Sequence, residues 1–202
     1  MTEISAQQRP AETVRQVAEL ALGDAVEITL LIALIERQNA GEINGQLNKD
    51  GAGRAAVVFR NALIARLVTL IARAYAIPKH GDLHLRVAAG LLENNATRQV
   101  FGSGNGAEKL AAFDAHWAKC RGDHRLPAIK TFRDKYTVHL GEPKDIQEAT
   151  YRDLFEFGAK TAAAMELLAL ATGVAVNPIS TEPDLVSSPE AFWAPWIGKQ
   201  IN

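Results

Sequence analysis

The sequence predicts an all-α fold, and three observations carry that prediction. Apolar residues recur at three- and four-residue steps over long stretches. No segment shows the two-residue alternation of a strand. Pro10, Pro78 and Pro127 stand where helices are expected to begin or stop. The chain has 202 residues, 48 % apolar and 22 % charged, enough for one sizeable core.

Taken in order, Pro10 sits in the first turn of a helix running to about Asn39, with Gly23 as a possible break. Its second half is apolar nearly all round (Val26, Ile28, Leu30, Leu31, Ile32, Leu34, Ile35), which predicts deep burial. Ala40–Gly53, rich in Gly, Asn and charge, reads as a loop. Arg54–Ala76 reads as a second long helix with Val58, Ala62, Ala65, Thr69 and Ala72 at helical spacing, stopped by Pro78. Asp82 is placed to cap a third helix to about Asn95. Asn105 with Glu108 suggests a capping box for a fourth, to about Cys120. Pro127 opens a fifth helix that ends near Gly141. A sixth runs from Pro143 to Thr172, striped by Tyr151, Phe155, Gly158, Ala162, Met165, Ala169 and Thr172. The expected bundle of about six helices thus occupies residues 1–173, with residues 1–9 disordered. From Gly173 four of eight prolines accumulate, and residues 174–202 read as an irregular tail. Its Trp193 and Trp196 are expected to pack on the body or a partner.

Net charge is −1, so a nucleic-acid contact would have to be a local patch. The single cysteine, Cys120, excludes an intrachain disulfide framework and fits a reducing cytoplasm. Met1–Pro10 has no apolar signal region, and the greasy stretch Ala25–Ile35 is too short to span a bilayer. Cytoplasmic location without a membrane role is therefore expected.

The segment richest in chemistry is Arg133-Asp134-Lys135-Tyr136-Thr137-Val138-His139. Arginine neutralises phosphate charge and imidazole moves protons near neutrality, the two parts a metal-free RNA-cleaving site needs. On a helical wheel Arg133, Tyr136 and His139 share an arc of about 120°. Lys135 lies about 40° from His139, where a cation favours the neutral imidazole. Lys119, Arg121, Arg125, Lys130, Arg133 and Lys135 oppose only Asp123 and Asp134 across this stretch. Such a patch suits a phosphodiester backbone; the plainer alternative is solvated charge beside a turn. The bare spacing is cheap: with 13 arginines and five histidines, an Arg-x(4–6)-His match arises about once by chance, and Arg73–His80 is a second copy, interrupted by Pro78.

Phe132–Leu140, a short break, and then Thr150-Tyr151-Arg152-Asp153-Leu154 early in a long helix resemble the HEPN superfamily. The likeness is closest to the HEPN-like family associated with bacterial abortive infection. The apolar Arg60–Tyr75 helix and Asp82–Leu92 precede the motif in the expected order, so the resemblance spans residues 25–173 and leaves the tail outside. It implies a HEPN-like helical bundle in which two protomers face each other to form one composite cleft. Carried over by position, Arg133 would stabilise the scissile phosphate and His139 would handle the proton of the 2′-hydroxyl or leaving oxygen. Asp134 would orient Arg133 or its counterpart. Tyr136, Lys130, Lys135 and Arg125 would contact the RNA. The implied activity is metal-independent endoribonuclease action in a toxin or phage-defence role, without cofactor, as a homodimer with a possible neutralising antitoxin. The position two residues past His139 is Gly141, where some toxin members carry a modifiable tyrosine, so that form of control is not expected here. The alternative from another class is a catalytically inactive HEPN module binding nucleic acid, nucleotide or a partner protein.

His116, Cys120 and His124, and the pair His80 and His84, fall at four-residue steps that could present metal ligands on one helix face. Gly122 and Asp123 interrupt the first set and Pro78 precedes the second, so no metal site is expected. A metal-dependent bundle enzyme stands as the third reading.

Overall fold

The computed structural model describes residues 8–134 and 150–197. Among these residues the chain is all-helical, without strands, and contains nine α-helices rather than about six. They are α1 (Gln8–Gln38), α2 (Gly41–Lys49), α3 (Gly53–Ala74), α4 (Leu85–Leu91), α5 (Asn95–Phe101), α6 (Gly106–Arg121), α7 (Arg125–Phe132), α8 (Tyr151–Thr172) and α9 (Pro183–Trp193).

Two long helices organise the bundle. In α1, Val14, Ala18, Ala21, Ala25, Ile28, Leu31 and Ile35 are buried at three- and four-residue steps, and α1 packs along α8. Gly23 does not break α1, which runs unbroken through it. In α8, Phe157, Gly158, Thr161, Ala162, Met165, Leu168 and Ala169 are buried, and α6 covers the side away from α1. Gly158 allows the closest approach. A Cβ there would stand 3.1 Å from Ile32 Cδ1 and 3.3 Å from Ile71 Cδ1, so α1, α3 and α8 meet over a residue without a side chain. Tyr75, at the end of α3, stacks on Trp117 of α6 at 5.1 Å and shares a hydrogen bond with Thr161 at 3.0 Å. Burial pushes the Tyr75 phenol well above its ordinary range, which keeps it neutral.

Several expectations are corrected. Residues 40–53 are not a loop but contain α2, because Ile43 and Leu47, one turn apart, are buried with Trp193 in a second small core. The face of α3 toward the bundle is Ile64, Leu67, Val68 and Ile71; of the anticipated stripe Ala72 is buried, whereas Val58, Ala62 and Thr69 point to solvent. By length and composition α3 is also the one described helix able to cross a bilayer, longer than Ala25–Ile35. Asp82 accepts the amide of Lys79 at 2.8 Å and so closes a turn, while His84 occupies the N-cap of α4. Asn94 caps the separate α5 by accepting from the Ala96 and Thr97 amides. Asn105 forms no side-chain cap on α6.

Helix α8 starts at Tyr151, not Pro143, where Thr150 and Asp153 form a reciprocal capping box. The disorder expected of residues 1–9 falls mostly outside the described residues, and α1 already begins at Gln8. The tail is helical where irregular structure was expected. Pro183 occupies the first turn of α9, a position whose amide needs no partner, and Pro189 lies inside the helix without ending it. Trp193, 2 % exposed, donates its indole N–H to Leu34 O at 3.1 Å and stands edge-on to Phe59.

Trp193→Ala is therefore expected to destabilise the protein by about 3–5 kcal/mol. Denaturant titration gives the size; hydrogen exchange should show protection falling first in α2 and α9, with α1 and α8 retaining theirs.

Candidate functional site

Helix α7 has only eight residues, too few to be stable alone, so its neighbours set its direction. Leu126 and Ile129 are buried, and Ile129 and Phe132 share a small hollow with Ile64 and Val68 of α3 and Tyr151 and Leu154 of α8. Lys130 lies about 100° round the helix from Ile129, while Arg133, one turn beyond Ile129, follows on nearly the same side as it. At Arg133 and Asp134 the backbone passes into a π-helical turn, a form concentrated at functional sites. Arg133 Nε donates to Asp134 Oδ1 at 2.7 Å. Both side chains remain partly exposed. The Lys130 ammonium is held below the ordinary lysine range, first by burial and then by repulsion from Arg86 and Arg133, with Asp134 opposing the shift. Arg86 of α4, whose guanidinium donates to Tyr75 O at 3.5 Å, and Arg133 of α7 thus both lie near enough to Lys130 to repel it.

Lys135, Tyr136 and His139 lie outside the described residues, as does the arc expected to join Arg133, Tyr136 and His139. Of the expected site residues, the structure describes Lys130, Arg133, Asp134 and Arg125, and Arg125 has a different setting. Its guanidinium donates to both carboxylate oxygens of Asp123 at 2.9 Å and to Glu156 Oε2 at 2.8 Å. It also lies 5.9 Å over the Phe157 ring. At 16 % exposure its charge is spent on joining α7 to α8 rather than offered to a phosphate backbone. Lys160 completes the arrangement, donating to Asp123 Oδ2 at 2.7 Å and to Lys119 O at 3.0 Å. These donors, Arg125 foremost, hold the Asp123 carboxyl far below the usual carboxylate range. Arg86 was not singled out in the sequence, because a lone arginine in a short apolar helix has no local signature.

The histidines do not converge. His116 Nε2 is 2.8 Å from Lys160 O, and the Cys120 thiol donates to the same carbonyl at 3.6 Å. Burial pushes the Cys120 thiol up, away from nucleophilic use. His124 is exposed beside Asp123, and His80 is exposed in the loop after Pro78. His84 is buried, with Asp82 Oδ2 at 3.7 Å from its Nε2, and desolvation keeps it below the ordinary histidine range. Among the described residues no three or more His, Cys, Asp or Glu side chains are placed to hold a metal ion. Arg73, the arginine of the second Arg–His match, is bound to Asp24. No protein-family model matches this chain, and neither a curated protein nor a solved structure matches it.

The folded-state pKa of Asp123 lies below its unfolded value. Its stabilisation is therefore complete above the ordinary carboxylate range and is lost as pH falls through and below it. Asp123→Ala should cost about 3 kcal/mol near neutrality by leaving Arg125 and Lys160 without their shared partner. Stability measured against pH should lose part of its acid slope in the variant; an unchanged slope would remove Asp123 from that role.

Proposed function

We propose that this chain is a metal-independent endoribonuclease of HEPN type, working as a homodimer in the cytoplasm in a toxin or defence role. The observation that carries the reading is the gathering of Arg86, Lys130 and Arg133, with Asp134 bonded to Arg133, where the motif begins. Lys130 is partly desolvated and repelled by two arginines, with Asp134 the opposing charge among the described residues, and a bound phosphodiester would add to that opposing charge. The π-helical turn at Arg133 gives that guanidinium a direction unlike a regular helix position.

In this mechanism the ribose 2′-oxygen attacks the adjacent phosphorus, and the bond to the 5′-oxygen breaks. A cyclic phosphate and a 5′-hydroxyl result. His139 takes the 2′-hydroxyl proton or supplies one to the leaving oxygen, and its counterpart in the second protomer can perform the complementary transfer. Arg133 stabilises charge on the non-bridging oxygens, and Asp134 fixes the guanidinium plane. Lys130 and Arg86 hold the neighbouring backbone; Lys135 and Tyr136 follow from the resemblance. The inactive HEPN module shares the cationic surface and differs only in lacking the chemical step.

Single-stranded RNA should be cleaved in excess EDTA, leaving cyclic-phosphate ends. Arg133→Ala and His139→Ala should each slow cleavage by about 10²–10⁴-fold with the helical content unchanged. Arg86→Ala and Lys130→Ala should weaken binding and each reduce the salt dependence by about 0.7 in slope. RNA binding without cleavage by the wild-type dimer would select the inactive module. Cleavage that EDTA stops and these substitutions spare would move the chemistry elsewhere.

A further inference from the structure

A groove runs between α1, the second half of α8 and the segment leading into α9, away from the cationic group. It consists of two adjoining hollows of about 440 Å³ and about 330 Å³ that share Ile179 and Leu185. Leu22 and Val26 of α1 form the floor of the larger one, and Val176 stands at its rim with 85 % of its surface exposed. Each hollow has the volume of an ordinary ligand pocket, and the apolar surface is continuous across the shared side chains.

The charge around this groove is mostly of one sign. The stretches that line it, residues 22–29 and 159–185, contain five Asp or Glu and one cation, Lys160, which is bound to Asp123, in a chain otherwise balanced at 22 basic and 23 acidic residues. Asp24, Glu27 and Glu190 are neutralised by Arg73, Arg66 and Arg37 from elsewhere. The three acids in the lining are not. Glu182 and Asp184 border the larger hollow and make no ion pair among the described residues. Glu166, in the smaller, accepts the Ile179 amide at 2.6 Å and meets no cation. An apolar floor with an unneutralised acidic rim is complementary to aliphatic side chains flanked by cations.

We propose that this groove binds a Lys- or Arg-bearing amphipathic segment of a partner protein. Aliphatic side chains would enter the two hollows on either side of Ile179 and Leu185, and ammonium or guanidinium groups would reach Glu166, Glu182 and Asp184. From Leu22 to Thr29 the floor rises about 10 Å, two turns of a docked helix, and helix-in-groove recognition uses such a spacing. The surface is independent of the ribonuclease reading and stands whether or not RNA is cleaved.

The test uses the full chain and an amphipathic Leu/Lys peptide of about 15 residues as probe, with its Leu/Glu counterpart as control. Calorimetry should show saturable binding of the Lys peptide alone, and amide resonances of Val26, Val176 and Ile179 should shift. The pair Glu182→Gln with Asp184→Asn should weaken binding by about tenfold. Val176→Lys, at a solvent-exposed position, should weaken it too by placing a cation at the rim. The pair Glu93→Gln with Glu108→Gln removes the same charge from exposed sites elsewhere and should leave affinity unchanged. Equal losses in both pairs, shifts centred on Val57 and Val58 of α3, or equal binding of the Glu peptide would each overturn the proposal. So would binding of hexylammonium at the groove that the peptide cannot displace, which would make the occupant a small amine.

Discussion

The Asp123 carboxylate is the constraint on which the site-bearing part of the molecule depends. It is 4 % exposed, sits between the end of α6 and the start of α7, and takes donors from Arg125 and from Lys160 of α8. An eight-residue helix has too few internal hydrogen bonds to hold its own direction. With Asp123 at its first turn and Leu126, Ile129 and Phe132 packed on the core, the direction of α7 is fixed by its neighbours. A charge this far out of solvent is tolerable only because both its oxygens are satisfied: each takes one arm of the Arg125 fork, Oδ1 also accepts the Arg125 amide and Oδ2 also accepts Lys160. The same ion group that takes up the Arg125 charge thus ties the first turn of α7 to α8.

How much of the fold was legible depended on how many apolar residues each element carries. Helices α1 and α8 repeat their buried positions over many turns, and their existence follows from period alone. Helix α2 has only Ile43 and Leu47 to bury, and the indole of Trp193 that covers them comes from the far end of the chain. No local pattern reports such a partner. The misplaced face of α3 has a different cause. Val58, Ala62, Ala65 and Thr69 repeat as regularly as Ile64, Leu67, Val68 and Ile71, but the larger side chains remove more area from water and win the interior. Asp82 failed as a cap because an aspartate before a helix can close its own turn instead, and here it takes the Lys79 amide.

For the site, residue type was legible and setting was not. Arg133 and Asp134 were singled out from sequence and are bonded to one another in the fold. Arg125 looked equivalent to Lys130 within a basic stretch, yet one is bound by two carboxylates and the other stands among cations. The difference lies in Glu156 and Lys160, which a turn of α8 brings alongside from more than thirty residues away. Arg86 enters for the same reason, through proximity of α4 to α7. His116 and Cys120 show the converse: metal-like spacing is real on the helix, but both side chains are directed to the Lys160 carbonyl.

A net charge of −1 hides a polar distribution. Between Lys119 and Asp134 the chain concentrates cations, and α7 presents them at one end of α8. The groove between α1 and the C-terminal segment is bordered by Glu166, Glu182 and Asp184 over an apolar floor, none of the three in an ion pair among the described residues. Scattered surface charge would have served solubility equally well at the same total. Separation does something that scattering cannot: a polyanion is drawn to the α7 end and repelled from the groove, and a cationic segment experiences the reverse. Two surfaces of opposite charge therefore lie apart on the protein. If they do influence one another, α8 is the route, since Glu166 lines the groove and Lys160, less than two turns earlier, holds the carboxylate that orients α7.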